Sequence, residues 1–195
     1  MDGRRLSGEL RGDLQHRLTR CRIECWGVSA HATEKIVACN HLVSRRVVGV
    51  MNLPDESIYT KHKDDLIRYA TALVGPADAE DVLSTVVLRV LERRSLADLN
   101  DARAYLFRAV LNESRGRLRR GTPRLLPDPP SWIPERDLEV VAALRRLPPR
   151  QRAAVYLVYW EDLSIDDTAR AMGASPGTVK RYLHLARRKL KGALR

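Results

Sequence analysis

Aromatic residues are scarce in this chain: one Phe, three Trp and six Tyr among 195 residues. That limits the size of any one core, and the abundant Leu, Val and Ala suit small helical bundles instead. No apolar run approaches the ~20 residues of a membrane span, and no charged-then-apolar leader with a cleavage site opens the chain. The expectation is therefore a cytoplasmic protein with no membrane partner. Cysteine is also sparse. Cys21, Cys25 and Cys39 all lie in the first 40 residues, and the odd count without an export signal argues for reduced thiols over a disulfide framework. Together with His31 and His41 these cysteines miss the paired spacing of common zinc sites, so no metal is expected. Neither His62, His184 nor the scattered carboxylates fall into a catalytic spacing, and there is no phosphate-cradling glycine loop. The reading is a protein that is not an enzyme and has no cofactor.

Acidic residues are missing where basic ones collect. The net charge of +11 is uneven: from Lys180 to Arg195 there are seven Lys/Arg and no Asp or Glu. A helix carrying that charge attracts phosphate by counterion release. Upstream, Ile165, Thr168, Ala169, Ala171 and Met172 make a short amphipathic helix, with Ser164 as its N-cap and Asp166 and Asp167 at its positive end. Gly173 marks a turn that needs positive φ, Ser175 caps the next helix and Pro176 fits its first position. In that helix, from about Pro176 to Ala193, Val179, Leu183, Ala186 and Leu190 share one stripe. Thr178, Lys180, Arg181, His184, Arg187 and Arg188 are left outside. A packed stripe opposite a cationic one is the division a helix needs to enter a major groove, and the partner expected is duplex DNA.

The rest of the chain divides by pattern. Residues 1–50 show little periodicity and read as a poorly ordered extension or a mis-called start, with Met51 as the biological start. From about Ser57, Ile58, Leu66, Ile67, Tyr69, Ala70, Leu73 and Val74 form a helical face closed by Gly75-Pro76. A second helix to about Arg94 repeats Val82, Leu83, Val86, Val87, Val90 and Leu91. A polar loop, Ser95 to Asp101, leads to a third helix from about Ala102 to Arg120. That helix is expected to bury Tyr105, Leu106, Ala109, Val110 and Leu118 and ends in Arg115, Arg117, Arg119 and Arg120, against the negative end of its dipole. Five prolines between Gly121 and Pro134 exclude helix or central strand and make a linker. Two further helices, Asp137 to Arg146 and about Pro149 to Trp160, precede the two already described, and Trp132 and Trp160 are expected to pack. The fold class is all-α: a helical domain over 51–120, a Pro-rich linker over 121–135, and a four-helix helix-turn-helix domain over 136–195.

Together the two halves resemble the extracytoplasmic-function (ECF) group of the sigma-70 family, small bacterial RNA polymerase sigma factors that keep only regions 2 and 4. AEDVLSTVVLRVLE (Ala79 to Glu92) is similar to the family's AED-L-x-Q-E-x-F-L-R helix. AYLFRAVLNESRGRLRR (Ala104 to Arg120) is similar to its W-L-x-R-I-A-x-N-x-x-x-D-x-L-R-R helix. LPPRQRAAVYLVYWEDLSIDDTARAMGASPGTVKRYLHLARRKL is similar to its L-P-x-x-Q-R, S-x-x-E-I-A-x-x-L-G-x-S-x-G-T-V-K-S-R pattern. The resemblance implies docking on core RNA polymerase through the Ala79 to Glu92 helix, with Asp81, Ser84, Thr85 and Arg89 at the contact. It also implies capture of the melted minus-10 strand by the loop and third helix: Tyr105 stands where the family has Trp, Asn112 near a pocket for a flipped-out base, and Arg115, Arg117, Arg119 and Arg120 on phosphates. The minus-35 element would be read by Lys180, Arg181 and His184 at base edges, with Thr178, Arg187 and Arg188 on phosphates. An anti-sigma factor is the further partner implied. Ser84 and Thr85 replace the usual Gln and acidic residue, Val87 an aromatic, and Arg181-Tyr182 the usual Ser-Arg.

A rival reading comes from LPPRQR and GTVKRYL, which are also similar to the output module of response regulators. It requires an upstream phospho-acceptor domain of alternating strands and helices, whereas residues 51–120 read as helices throughout.

Overall fold

The structure, a computed structural model, describes residues 51–121 and 142–193, and among them there is no β-strand. The expected extension over 1–50, with its cysteines, the expected linker from residue 122 onward and Trp132 lie outside the described residues.

The first half is three helices: α1 (Leu53–Val74), α2 (Pro76–Leu91) and α3 (Ala102–Arg120). Helix α1 starts earlier than its apolar periodicity suggests, because capping decides the boundary. The Asn52 side chain accepts from the Asp55 amide at 2.9 Å, and a proline sits in the first turn, where no donor is needed. Gly75, at φ 89°, ends α1, and Pro76 opens α2 at once. The loop before α3 is less polar than its sequence: Leu96 is fully buried. The carboxylate of Asp55, itself buried, accepts from the Ser95 hydroxyl and, at 3.2 Å, from the Ala97 amide. That ties the loop to the start of α1. Asp101 caps α3 through the Ala104 amide at 2.9 Å. Leu118, expected inside, is exposed; the buried residues of α3 are instead Leu106, Phe107, Val110, Leu111, Ser114 and Gly116.

In the second half a helical turn at 142–145 precedes α4 (Pro149–Tyr159), α5 (Ile165–Met172) and α6 (Pro176–Ala193). The turn chemistry is as expected. Ser164 accepts from the Asp167 amide, Gly173 is left-handed at φ 58°, and Ser175 accepts from the Thr178 amide at 3.2 Å. Helix α4 is different in kind. AAVYLVY is buried nearly all round, as a helix with no polar stripe must be.

The reason lies in how the halves meet. They are packed against each other with one continuous hydrophobic cluster across the seam. The few aromatic side chains collect there: Phe107 on α3 meets Tyr69 on α1 edge-on at 5.0 Å, Tyr69 meets Tyr156 on α4 at 5.2 Å, and Tyr156 stacks on Trp160 at 6.0 Å. Each such pair adds about 0.5–1.5 kcal/mol beyond the area it buries.

Candidate nucleic-acid interface

Helix α6 presents the division expected of it. Val179, Leu183, Ala186 and Leu190 are buried, and Lys180, Arg181, His184, Arg187 and Arg188 are exposed. Helix α4 supports α6 from behind, with the Arg187 Nε donating to the Tyr159 hydroxyl at 3.1 Å and Arg150 reaching the Tyr182 hydroxyl at 3.5 Å. Thr178 is half-buried, and its hydroxyl sits 2.9 Å from that of Ser175, within the cap of α6. Among the described residues no carboxylate pairs with Lys180, Arg181 or Arg188. The cationic stripe faces solvent with no counterion among the described residues, which leaves its charge open to phosphate.

The residues assigned to the minus-10 strand fall into two groups at opposite ends of α3. Tyr105 is near the N-terminal end, half-buried, with the Arg108 guanidinium 5.5 Å from its ring centre. The arginines begin ten residues later, roughly 15 Å along the helix. They are not equivalent. Arg117 bridges to Asp78 at 3.0 Å and Asp81 at 3.4 Å, and Arg120 to Glu113 at 3.0 Å. No carboxylate among the described residues holds Arg115 or Arg119. Arg115 stands near Arg150 and Arg119, and partial burial first, then these two cations, lower its pKa. Arg115 and Arg119 are the arginines of the run left open to a phosphate among the described residues. Asn112 is exposed.

The four residues assigned to polymerase lie on α2. Asp81 and Arg89 are exposed, each held by an α3 side chain, Arg117 and Glu113 respectively; Ser84 and Thr85 are half-buried. Asp81 is thus linked directly to Arg117, and Arg89 to Arg120 through the shared Glu113 carboxylate.

Sequence reasoning missed the residues that join the halves. Arg152 on α4 is buried. One of its terminal nitrogens donates to the carbonyls of Ala72 and Leu73, both at 3.2 Å, at the C-terminal end of α1; the other donates to those of Arg145 at 2.8 Å and Leu147 at 3.0 Å. A cation at that end of a helix meets the negative pole of its dipole and otherwise unpaired carbonyls. Burial lowers the Arg152 pKa to about 10, which leaves it charged at neutral pH. Arg103 on α3 bridges to Glu161 at 2.8 Å, and the Tyr156 hydroxyl donates to the same carboxylate at 3.1 Å. Burial, with Asp65 adding to it, pushes the Glu161 pKa up. Only the Gln-Arg of LPPRQR and the unbroken apolar run after it mark this region in the sequence.

Above the seam lies a cleft of about 910 Å³. One wall is Leu99, Asn100, Asp101, Ala104, Tyr105 and Arg108; the other is the α5–α6 turn with Gly173, Ser175 and Pro176. Arg108 lies across the turn so closely that a Cβ on Gly173 would come within 2.7 Å of its Cδ. No cluster of potential metal ligands occurs among the described residues, and no helix there is long and apolar enough to cross a membrane.

Comparison with known proteins agrees with this architecture. Residues 58–124 match the model of Sigma-70 region 2, and residues 137–190 that of Sigma-70, region 4. The RNA polymerase sigma-E factor of Streptomyces antibioticus is 34% identical over 152 residues, 71% of this chain and 83% of that one. The ECF RNA polymerase sigma factor SigM of Mycobacterium tuberculosis is 33% identical over 146 residues, 69% of this chain and 74% of its own. Among solved structures, CnrH in complex with the cytosolic domain of CnrY aligns with a TM-score of 0.55, covering 78% of this chain and 95% of CnrH at 21% identity, a likeness of fold. The chain belongs to the extracytoplasmic-function group of the sigma-70 family: it is an RNA polymerase sigma factor with regions 2 and 4, and a DNA-binding helix-turn-helix in the latter.

Proposed function

We propose that this sigma factor works by binding alone, in the cytoplasm, with division of labour among three helices. Helix α2 docks on core RNA polymerase through Asp81, Ser84, Thr85 and Arg89. Helix α3 and the loop before it take the melted minus-10 strand, with Tyr105 and Asn112 at bases and Arg115 and Arg119 on phosphates. Arg117 and Arg120 join them only by exchanging their carboxylate partners. Helix α6 reads the minus-35 element through Lys180, Arg181 and His184 at base edges, with Thr178, Arg187 and Arg188 on the backbone. Residues 51–120 and 136–195 are the two functional domains, and 121–135 connects them. The observation that carries this reading is the exposed cationic stripe of α6, unpaired among the described residues, on a capped helix-turn-helix. An anti-sigma protein as a masking partner is supported by the fold neighbour, which is held with the cytosolic domain of another protein.

The test is gel filtration of the chain with bacterial core polymerase, followed by run-off transcription from a promoter library. Co-elution and a selected pair of promoter elements are the expected results. A chain that binds duplex DNA yet never co-elutes with core would refute the α2 assignment. The response-regulator alternative is not favoured, because residues 58–124 match region 2 and α1, α2 and α3 occupy the described part of that stretch.

A further inference from the structure

We propose that the packed arrangement of the two halves is a closed form that hides the strand-capturing side of region 2 while leaving its polymerase helix and the minus-35 helix free, and that Arg103–Glu161 and Arg152 latch it. The proposal rests on the helix assignments above.

The masking is selective. Region 4 lies on α1 and α3: Tyr156 covers Tyr69, Glu161 holds Arg103, and the α5–α6 turn lies against Arg108 beside Tyr105. A nucleotide strand laid along the loop and the start of α3 would share this space with Gly173, Ser175 and Pro176. Helix α2 packs on α1 and α3 alone among the principal contacts, and the charged side chains of α6 point outward. A chain in this form can meet polymerase and duplex before it can hold single strand.

The seam has an apolar centre and a weaker polar rim. Its core is aromatic, but its rim is charged and mixed in sign: Arg103 meets Glu161 and, at 3.7 Å, Asp65, while Arg115 and Arg150, one from each half, repel. The fixed anchor is Arg152, whose guanidinium spans carbonyls of both halves. Separation leaves its bonds to Arg145 and Leu147 in place and exposes the end of α1 to water. Water can take over the Ala72 and Leu73 carbonyls and the rim charges on opening, so the polar part of the seam resists little and the aromatic core carries most of the closure.

The test is a charge swap in the full chain, with Cys21, Cys25 and Cys39 changed to Ser and donor and acceptor dyes on cysteines introduced at Glu92 and Lys189, both exposed. Arg103→Glu faces the Glu161 and Asp65 carboxylates, and the double variant Arg103→Glu/Glu161→Arg restores an opposite-charge pair. Energy transfer is expected to be high in the parent, to fall in Arg103→Glu, and to recover in the double variant. Binding of a fluorescent oligothymidine single strand is expected to rise about tenfold in Arg103→Glu and to fall back on the swap, with duplex binding within about twofold throughout. Arg103 is partly exposed, and far-ultraviolet circular dichroism verifies that each variant folds. Unchanged transfer and single-strand affinity in a folded Arg103→Glu would overturn the latch. Loss without recovery in the double variant would overturn the role of this pair. Co-elution with core polymerase, run on the same samples, separates these outcomes from failure of the sigma assignment.

Discussion

Replacing Arg152 with Ala should cost this protein a large share of its stability. The guanidinium supplies donors to four backbone carbonyls, those of Ala72, Leu73, Arg145 and Leu147. Hydrogen bonds from a charged donor contribute about 1.5–3 kcal/mol each, but water reaches some of the freed oxygens once the side chain is gone. Ala72 and Leu73 are buried in the seam, so their carbonyls stay partly unsatisfied. A buried acceptor left without a donor costs about 1–3 kcal/mol, so with two such carbonyls a loss of about 2–6 kcal/mol is expected here. A typical domain has only about 5–15 kcal/mol in total. Arg152→Lys should recover no more than about half, since an ammonium is a point donor and cannot reach carbonyls on both sides as the planar fork does. The assay is urea denaturation followed by both tryptophan fluorescence and far-ultraviolet circular dichroism. The parent is expected to give coincident transitions, because one hydrophobic cluster joins the halves. Arg152→Ala should shift the midpoint and pull the two probes apart as the halves uncouple. A loss under about 1 kcal/mol with coincident probes would refute the argument that this residue joins them.

The remaining predictions concern reading, turning and titration. Arg181→Ala should lower promoter selectivity by about 1–3 kcal/mol if it contacts a guanine edge, whereas Arg188→Ala should weaken all duplexes alike and reduce the salt slope by about one; binding titrations on matched and mutated promoters at several salt concentrations decide. Gly173→Ala should cost about 1–2 kcal/mol from the left-handed backbone alone, read as a lowered Tm, and Arg108→Ala should restore little of it because the flexible Arg108 chain moves aside more easily than φ changes. Burial, then Asp65, raises the Glu161 pKa, opposed by the Tyr156 hydroxyl, Arg103 and Arg68. A carboxyl with its folded pKa above the unfolded one keeps the proton longer in the native state, so stability falls as pH rises from the ordinary value of 4.5 through the folded value, and then levels off. Denaturation midpoints across that interval should fall for the parent and vary less for Glu161→Gln; equal slopes would refute a raised pKa at this position.

Much of this molecule is written locally. Ser164, Gly173, Ser175 and Pro176 specify a helix, a left-handed turn and a second helix by side-chain caps and backbone freedom that need nothing from elsewhere in the chain. The stripe of Val179, Leu183, Ala186 and Leu190 sets which side of α6 packs, and so which side carries its charge outward. Helix α3 likewise begins and ends where its pattern says, between Asp101 and Gly121. Local patterning misled where the answer depended on a neighbour: Leu118, in the last turn of α3, stays exposed, and Leu96 is drawn inside a loop that reads as polar and is tied to Asp55. Periodicity along a helix says which residues seek a partner, not which surface supplies it. Tertiary structure alone decided that the scarce aromatics meet at one seam, that Arg117 and Arg120 are taken up by carboxylates while none among the described residues holds Arg115, and that an arginine of the fourth region caps a helix of the second. These depend on contacts between residues up to 80 positions apart, and no local spacing encodes such a distance.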